Sequence, residues 1–110
     1  MASKYSYQFT LRARDDLDDI AHYISVELSN PPAATNFVDA LQKAIDAVRL
    51  FPESGSRVEN EFLPDTSLRK TVINNYVMYY LPIEEEEVIQ ILRIVYGRRD
   101  MNEILRKLDI

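Results

Sequence analysis

Two apolar stripes at helical spacing, separated by one proline-marked break, set the frame for any fold of this chain. From Leu11 to Leu28, the residues Leu17, Ile20, Ala21, Ile24 and Leu28 recur every three or four positions. That spacing lines them up along one side of a helix. Ser29-Asn30-Pro31-Pro32 ends the pattern. A proline pushes its predecessor out of the helical region, and a proline suits the first turn of a new helix. From about Pro32 to Leu50, Phe37, Leu41, Ala44, Ile45 and Val48 make a second stripe. Two long helices with so short a connection predict an antiparallel hairpin. Thr10 is placed to cap the first helix. Asp15, Asp16, Asp18 and Asp19 are expected to favour the positive end of its dipole.

On either side of the hairpin the period drops to two. Tyr5, Tyr7 and Phe9 alternate with Ser6, Gln8 and Thr10, the pattern of a half-buried strand. After Phe51-Pro52 stops the second helix, Glu53-Ser54-Gly55-Ser56 reads as a turn and residues 57–67 as loop. Leu68 to Ile73 and Tyr76 to Ile83 read as strands joined by an Asn74-Asn75 turn, because asparagine tolerates positive φ. The acidic run Glu84 to Glu87 makes the next turn, and Val88 to Val95 a last strand. Strict alternation there puts Val88, Leu92 and Ile94 on one face and Ile89, Ile91 and Val95 on the other. A strand apolar on both faces belongs inside its sheet. Arg93 on such a strand demands a polar neighbour. Met101 to Leu108 reads as a short final helix. The expected fold is α+β: a small, mostly antiparallel four-stranded sheet, an N-terminal helical hairpin on one face and a short C-terminal helix.

The 110 residues suit a single domain, residues 1–110, with enough chain for one core. No cysteine occurs, which excludes disulfides, zinc–thiolate sites and a cysteine nucleophile. With no signal-like start and no long apolar run, a cytoplasmic location away from the membrane is expected. The formal net charge of −5 argues against direct binding of free nucleic acid, which needs a positive surface. The charge is uneven. Residues 1–65 balance at −5 and residues 66–110 at 0, with four of the later acids in the Glu84–Glu87 run. Basic side chains are thus concentrated late in the chain.

There is no glycine-rich phosphate loop and no His/Asp/Glu set at metal-ligand spacing, so neither a cofactor nor a metal is expected. The single histidine, His22, lies beside the first apolar stripe and reads as a surface or packing residue. Tyr76, Tyr79 and Tyr80 crowd one strand, and Tyr96 follows the next. Such tyrosines pack in a sheet, and they also serve binding faces because the ring packs while the hydroxyl stays wet. Arg69, Lys70, Arg93, Arg98 and Arg99 are the candidates for a basic site that grips a carboxylate-rich partner or a phosphate backbone.

Phe51-Pro52-Glu53-Ser54-Gly55, Leu68-Arg69, Asn75-Tyr76-Val77-Met78-Tyr79-Tyr80 and Ile91-Leu92-Arg93-Ile94-Val95-Tyr96-Gly97-Arg98-Arg99-Asp100 together resemble the RelE/ParE superfamily of bacterial toxins. The resemblance covers nearly the whole chain, and Gly97-Arg98-Arg99-Asp100 carries most of it. It is nearer the ParE branch than the RelE branch. It implies a toxin neutralised by a cognate antitoxin protein. ParE-like members act on DNA gyrase, and RelE-like members cut messenger RNA on the ribosome. RelE-like nucleases place an arginine after the middle-strand tyrosine, where this chain has Val77. They often place a tyrosine in the last segment, where it has Leu105. The resemblance therefore implies a gyrase inhibitor that binds without chemistry of its own. Its target-binding residues would be Arg98, Arg99, Tyr96, Arg69 and Lys70, with Arg99 foremost. The alternatives are a ribosome-dependent endoribonuclease using Arg69, Arg93, Arg98 and Arg99, and a non-toxic member that only binds antitoxin.

Overall fold

A computed structural model describes residues 4–58 and 67–97. Strand β1 (Ser6–Phe9) leads into helix α1 (Leu11–His22), which widens into a π-helical turn (Tyr23–Glu27). Helix α2 (Pro31–Leu50) follows, then β2 (Ser56–Arg57), β3 (Arg69–Ile73), β4 (Tyr76–Ile83), a 3-10 turn (Glu84–Glu86) and β5 (Val88–Tyr96). The two helices pack through Ile20, Ile24, Phe37, Leu41, Ile45 and Val48, all buried, with Leu17 half-buried against them. Leu41 is only 3% exposed.

Local chemistry explains the helix ends. The Thr10 hydroxyl accepts from the Ala13 amide at 3.1 Å, satisfying one of the free donors of the first turn. Asn30 does the same for Ala33 at 3.2 Å, with Pro31 in the first helical position rather than Pro32. Ser29 reverses the chain before it with φ of 50°. The aspartates do not act on the helix dipole as expected. No acidic residue falls in the first turn of α1, and the dipole's influence fades within that turn.

Among the described residues the sheet has five strands, in the order β1-β5-β4-β3-β2, not four. The extra strand is only Ser56–Arg57, paired with Lys70 and Arg69 inside a stretch whose composition reads as turn and loop. Two residues are too few to show a period. The sheet is also mixed, because β1 runs parallel to β5 from Ser6↔Val88 to Phe9↔Ile91. Its other pairings are antiparallel. As expected from its composition, β5 is an interior strand, flanked by β1 and β4. Asn74 turns the β3–β4 hairpin with φ of 55°, as an asparagine at that place should.

Strict alternation fails on β5. Tyr79 pairs with Arg93 but Tyr80 with Ile91, so Leu92 is an extra residue in a β-bulge. The bulge reverses the faces beyond it. Ile89, Ile91 and Ile94 join Met78 and Tyr80 beneath the helices. Leu92 and Val95 join Tyr79, Val58 and Leu68 in a second buried cluster. Neighbouring residues of β4 divide between the two clusters, so the clusters occupy opposite faces of the sheet. The expected helix over residues 101–108 lies outside the described residues. Among the described residues, no helix is long and apolar enough to cross a membrane.

Candidate functional site

Of the basic and tyrosine residues singled out by the sequence, β3 and β4 carry Arg69, Lys70, Tyr76, Tyr79 and Tyr80, and the register fixes their spacing. Arg69 stands opposite Tyr80 and Lys70 opposite Tyr79. The Arg69 Nη1 donates to the Gly55 carbonyl at 2.8 Å and the Glu53 carbonyl at 3.1 Å. The Tyr80 hydroxyl, on a fully buried ring, accepts from the Gly55 amide at 2.9 Å and donates to the Pro52 carbonyl at 3.0 Å. Arg69 and Tyr80 thus clamp residues 52–55 onto the sheet. Only glycine fits at position 55, where a Cβ would run into the Tyr80 hydroxyl and lie 2.7 Å from the Lys70 carbonyl oxygen. Beside this clamp is an open cleft of about 640 Å³ lined by Tyr5, Phe51, Pro52, Arg69, Pro82 and Glu84. Phe51 on its wall is 68% exposed.

Arg93 is placed differently. Its side chain is buried and forms a two-point ion pair with Asp16 of α1, Nε to Oδ2 at 2.7 Å and Nη2 to Oδ1 at 3.1 Å. Oδ2 also accepts from the Ile94 amide at 2.9 Å. This happens where β1 has ended, so α1 supplies the partner that β5 lacks on that edge. The Thr10 amide on Ile91 O, at 3.0 Å, and the Thr10 hydroxyl on Leu92 O, at 3.1 Å, serve the same edge. Asp16 is therefore the polar neighbour that an arginine on an apolar strand demands.

Tyr96 lies at the other end of the sheet from Arg69. It pairs with Tyr76, four residues along β4 from the Tyr80 row. At strand rise that is roughly 13 Å. Arg69 and Lys70 are thus neighbours, Arg93 is enclosed, and Tyr96 stands apart. Arg98 and Arg99 lie outside the described residues. His22 is exposed on α1.

The perturbed tyrosines all move away from ionisation. Burial pushes Tyr80 up, against the opposing Gly55 hydrogen bond and the Arg69 charge. Burial also raises Tyr79, and raises Tyr76 together with the neighbouring phenols of Tyr23 and Tyr96. Tyr5 is raised by desolvation and then by Glu84, Glu87, Glu53 and Glu85. Each phenol is thus held towards its neutral form, and that of Tyr80 both accepts and donates a hydrogen bond.

Three roles were not legible in the sequence: Asp16 as the partner of Arg93, Gly55 beneath Tyr80, and Arg49 between β1 and α2. Arg49 donates from Nε to the Tyr5 carbonyl at 2.7 Å, pairs with Asp46 at 3.3 Å and lies 5.3 Å over the Tyr7 ring, fixing β1 to α2. The one available signal was the unpaired Arg93, which called for an acid elsewhere in the chain.

The family model described as ParE toxin of type II toxin-antitoxin system, parDE, matches residues 7–101. A relative named as a toxin, Y4kP of Sinorhizobium fredii, is 29% identical over 105 residues, covering 94% of this chain and 99% of its own. In structure the chain is similar to a component of the toxin-antitoxin complex RelBE2 of Mycobacterium tuberculosis, with a TM-score of 0.63 and 20% identity, covering 87% and 94% of the two chains. It is similar to a chain of the chromosomal ParDE system of P. aeruginosa, with a TM-score of 0.63 and 21% identity, covering 86% and 98%. It is also similar to a mutant of E. coli toxin RelE in the free state, with a TM-score of 0.59 and 17% identity, covering 86% and 85%.

Proposed function

The chain belongs to the ParE toxin family of type II toxin-antitoxin systems, and from that premise we propose that it inhibits DNA gyrase by binding, without chemistry of its own, and is neutralised by a cognate antitoxin. The observation that carries the non-catalytic reading is the Arg93–Asp16 pair. A nuclease built from arginines needs its guanidinium groups aimed at a phosphate that develops charge. Arg93 is instead enclosed and neutralised by Asp16, and Arg69 donates to backbone carbonyls of its own chain. The raised tyrosines supply no base. Val77, in the place of the nuclease branch's arginine, and the net charge of −5 support the same reading. Target contact on this view falls to Arg98 and Arg99, with Tyr96, Arg69 and Lys70 as further contacts.

Production of the toxin without antitoxin tests the proposal directly. The expected result is blocked replication with DNA breakage in cells, and inhibition of supercoiling by purified gyrase in the tube. Rapid translation arrest with codon-specific cuts in messenger RNA, and gyrase left unaffected, would replace the reading with the ribosomal nuclease. Co-purification with the product of the neighbouring gene, and loss of growth inhibition when both are made, tests the antitoxin.

A further inference from the structure

Asp19 of α1 and Tyr23 of the π-helical turn have no part in the proposed function, yet they converge with the far end of the sheet. There a cleft of about 390 Å³ is lined by Asp16, Asp19, Ile20, Tyr23, Tyr76 and Tyr96, among others. The rings of Tyr76 and Tyr96 stand 5.8 Å apart at 88°, two perpendicular walls. Tyr76 is backed by Phe37 of α2, ring to ring at 5.0 Å, and so is held in place. Tyr23 and Tyr96 remain roughly half exposed at the rim.

Two irregularities of the backbone meet at this cleft. The helix widens at Tyr23, whose carbonyl accepts from the Leu28 amide five residues on. The Leu92 bulge reverses the alternation of β5 and so brings Ile94 and Tyr96 to the face that holds Tyr76. Without it Tyr96 would fall on the opposite face from Ile91. Both kinds of irregularity recur where a fold aims side chains at a ligand.

The chemistry of the lining selects a cation. Aromatic faces carry negative charge density, and tyrosines attract a guanidinium or ammonium group placed over them. Asp16 is satisfied by Arg93. The ion pairs among the described residues are Arg49–Asp46 and Arg93–Asp16, so Asp19 has no cationic partner among them. Among the described residues the carboxylates of the lining are therefore Asp16, paired with Arg93, and Asp19, paired with none. A phosphate is repelled, and one carboxylate without a partner among the described residues is too few to hold a metal ion. A planar, weakly hydrated guanidinium suits flat tyrosine walls better than a compact ammonium does.

We propose that this cleft receives an arginine side chain of a protein partner, stacked against the tyrosines and hydrogen-bonded to Asp19. The inference concerns the cleft alone and does not depend on whether gyrase is the target. The test is a titration of protein carrying labelled tyrosine rings with the peptide Ac-Gly-Arg-Gly-amide, followed by NMR. The control peptide has citrulline in place of arginine, with the same shape and no charge. Saturable shifts of the Tyr23, Tyr76 and Tyr96 ring signals are expected with the arginine peptide, and binding about tenfold weaker with citrulline. Asp19→Asn and Tyr96→Leu are each expected to weaken the arginine peptide about three- to tenfold. Both positions are exposed, so an unchanged melting temperature verifies the fold of each variant. Equal binding of the citrulline peptide, no saturable shift in these rings, or unchanged binding by the folded double variant overturns the proposal.

Discussion

Removing the Asp16 carboxylate is the sharpest test of how this fold is held together. Asp16→Ala deletes both partners of the Arg93 guanidinium and the acceptor of the Ile94 amide. The side chains of Arg93 and Asp16 are only 8% and 14% exposed, so water cannot replace what is lost. Breaking a buried pair on one side leaves an uncompensated charge and costs about 3–5 kcal/mol. For a domain of this size that corresponds to a fall in Tm of roughly 12–20 °C. Chemical denaturation with a thermal scan measures both quantities. Asp16→Asn, which keeps an acceptor for Ile94, is expected to cost less, about 2–3 kcal/mol. The double variant Asp16→Leu, Arg93→Met removes both charges together and is expected to lie within about 1–2 kcal/mol of the wild type. Toxicity in all three should follow the folded fraction. A cost below about 1 kcal/mol for Asp16→Ala, or a double variant less stable than either single one, would refute the structural role given to Arg93.

Further outcomes follow from the same geometry. Leu41→Ala, at a position 3% exposed, should destabilise by about 2–5 kcal/mol in denaturant titration. Gly55→Ala forces a methyl group against the Tyr80 hydroxyl and the Lys70 backbone, and should cost about 2 kcal/mol or more by the same measurement. Tyr76, Tyr79 and Tyr80 hold their protons more tightly folded than unfolded. Their contribution to stability is therefore complete below the ordinary tyrosine value of 10.0 and is lost as pH rises through the higher folded values. Melting temperatures should fall across that alkaline window, with phenolate absorbance appearing late, and a flat profile would contradict the burial of these rings. Arg99→Ala is expected to abolish growth inhibition while folding and antitoxin binding survive, and full toxicity of an Arg98→Ala, Arg99→Ala variant would remove this pair from the target contact.

The sequence was most readable where one physical signal dominated. The apolar stripes placed both helices within a residue or two, because burial of one face enforces the period. Asn74 announced its turn because few residues accept positive φ. What stayed hidden depends on partners distant in the chain. The parallel pairing of β1 with β5 leaves no local trace, since an edge strand alternates in the same way whichever direction its neighbour runs. Leu92 sits among apolar residues, so nothing in its neighbourhood marks it as the extra residue of a bulge. Asp16 is one of four aspartates within five positions, and only the folded geometry distinguishes the one that meets Arg93. Among the site residues, the tyrosines and arginines were visible as types, but their separation into a clamp at Gly55, an ion pair at Asp16 and a rim at Tyr96 was not.

The pairing of β1 with β5 also has a meaning in time. Thr10 bonds Leu92 across 82 positions, and Asp16 meets Arg93 across 77. A ribosome adding about 5–20 residues per second needs roughly 4–16 s to travel from the first of these partners to the second. Through that interval the hairpin exists without the strand that α1 rests on, and the first strand has no neighbour. Contacts between such remote positions also form slowly once both are present. A nascent or truncated chain lacking β5 therefore lacks the partners of both Thr10 and Asp16. On the proposed function, growth inhibition begins only after β5 has emerged and docked, which gives an antitoxin made alongside it time to be waiting.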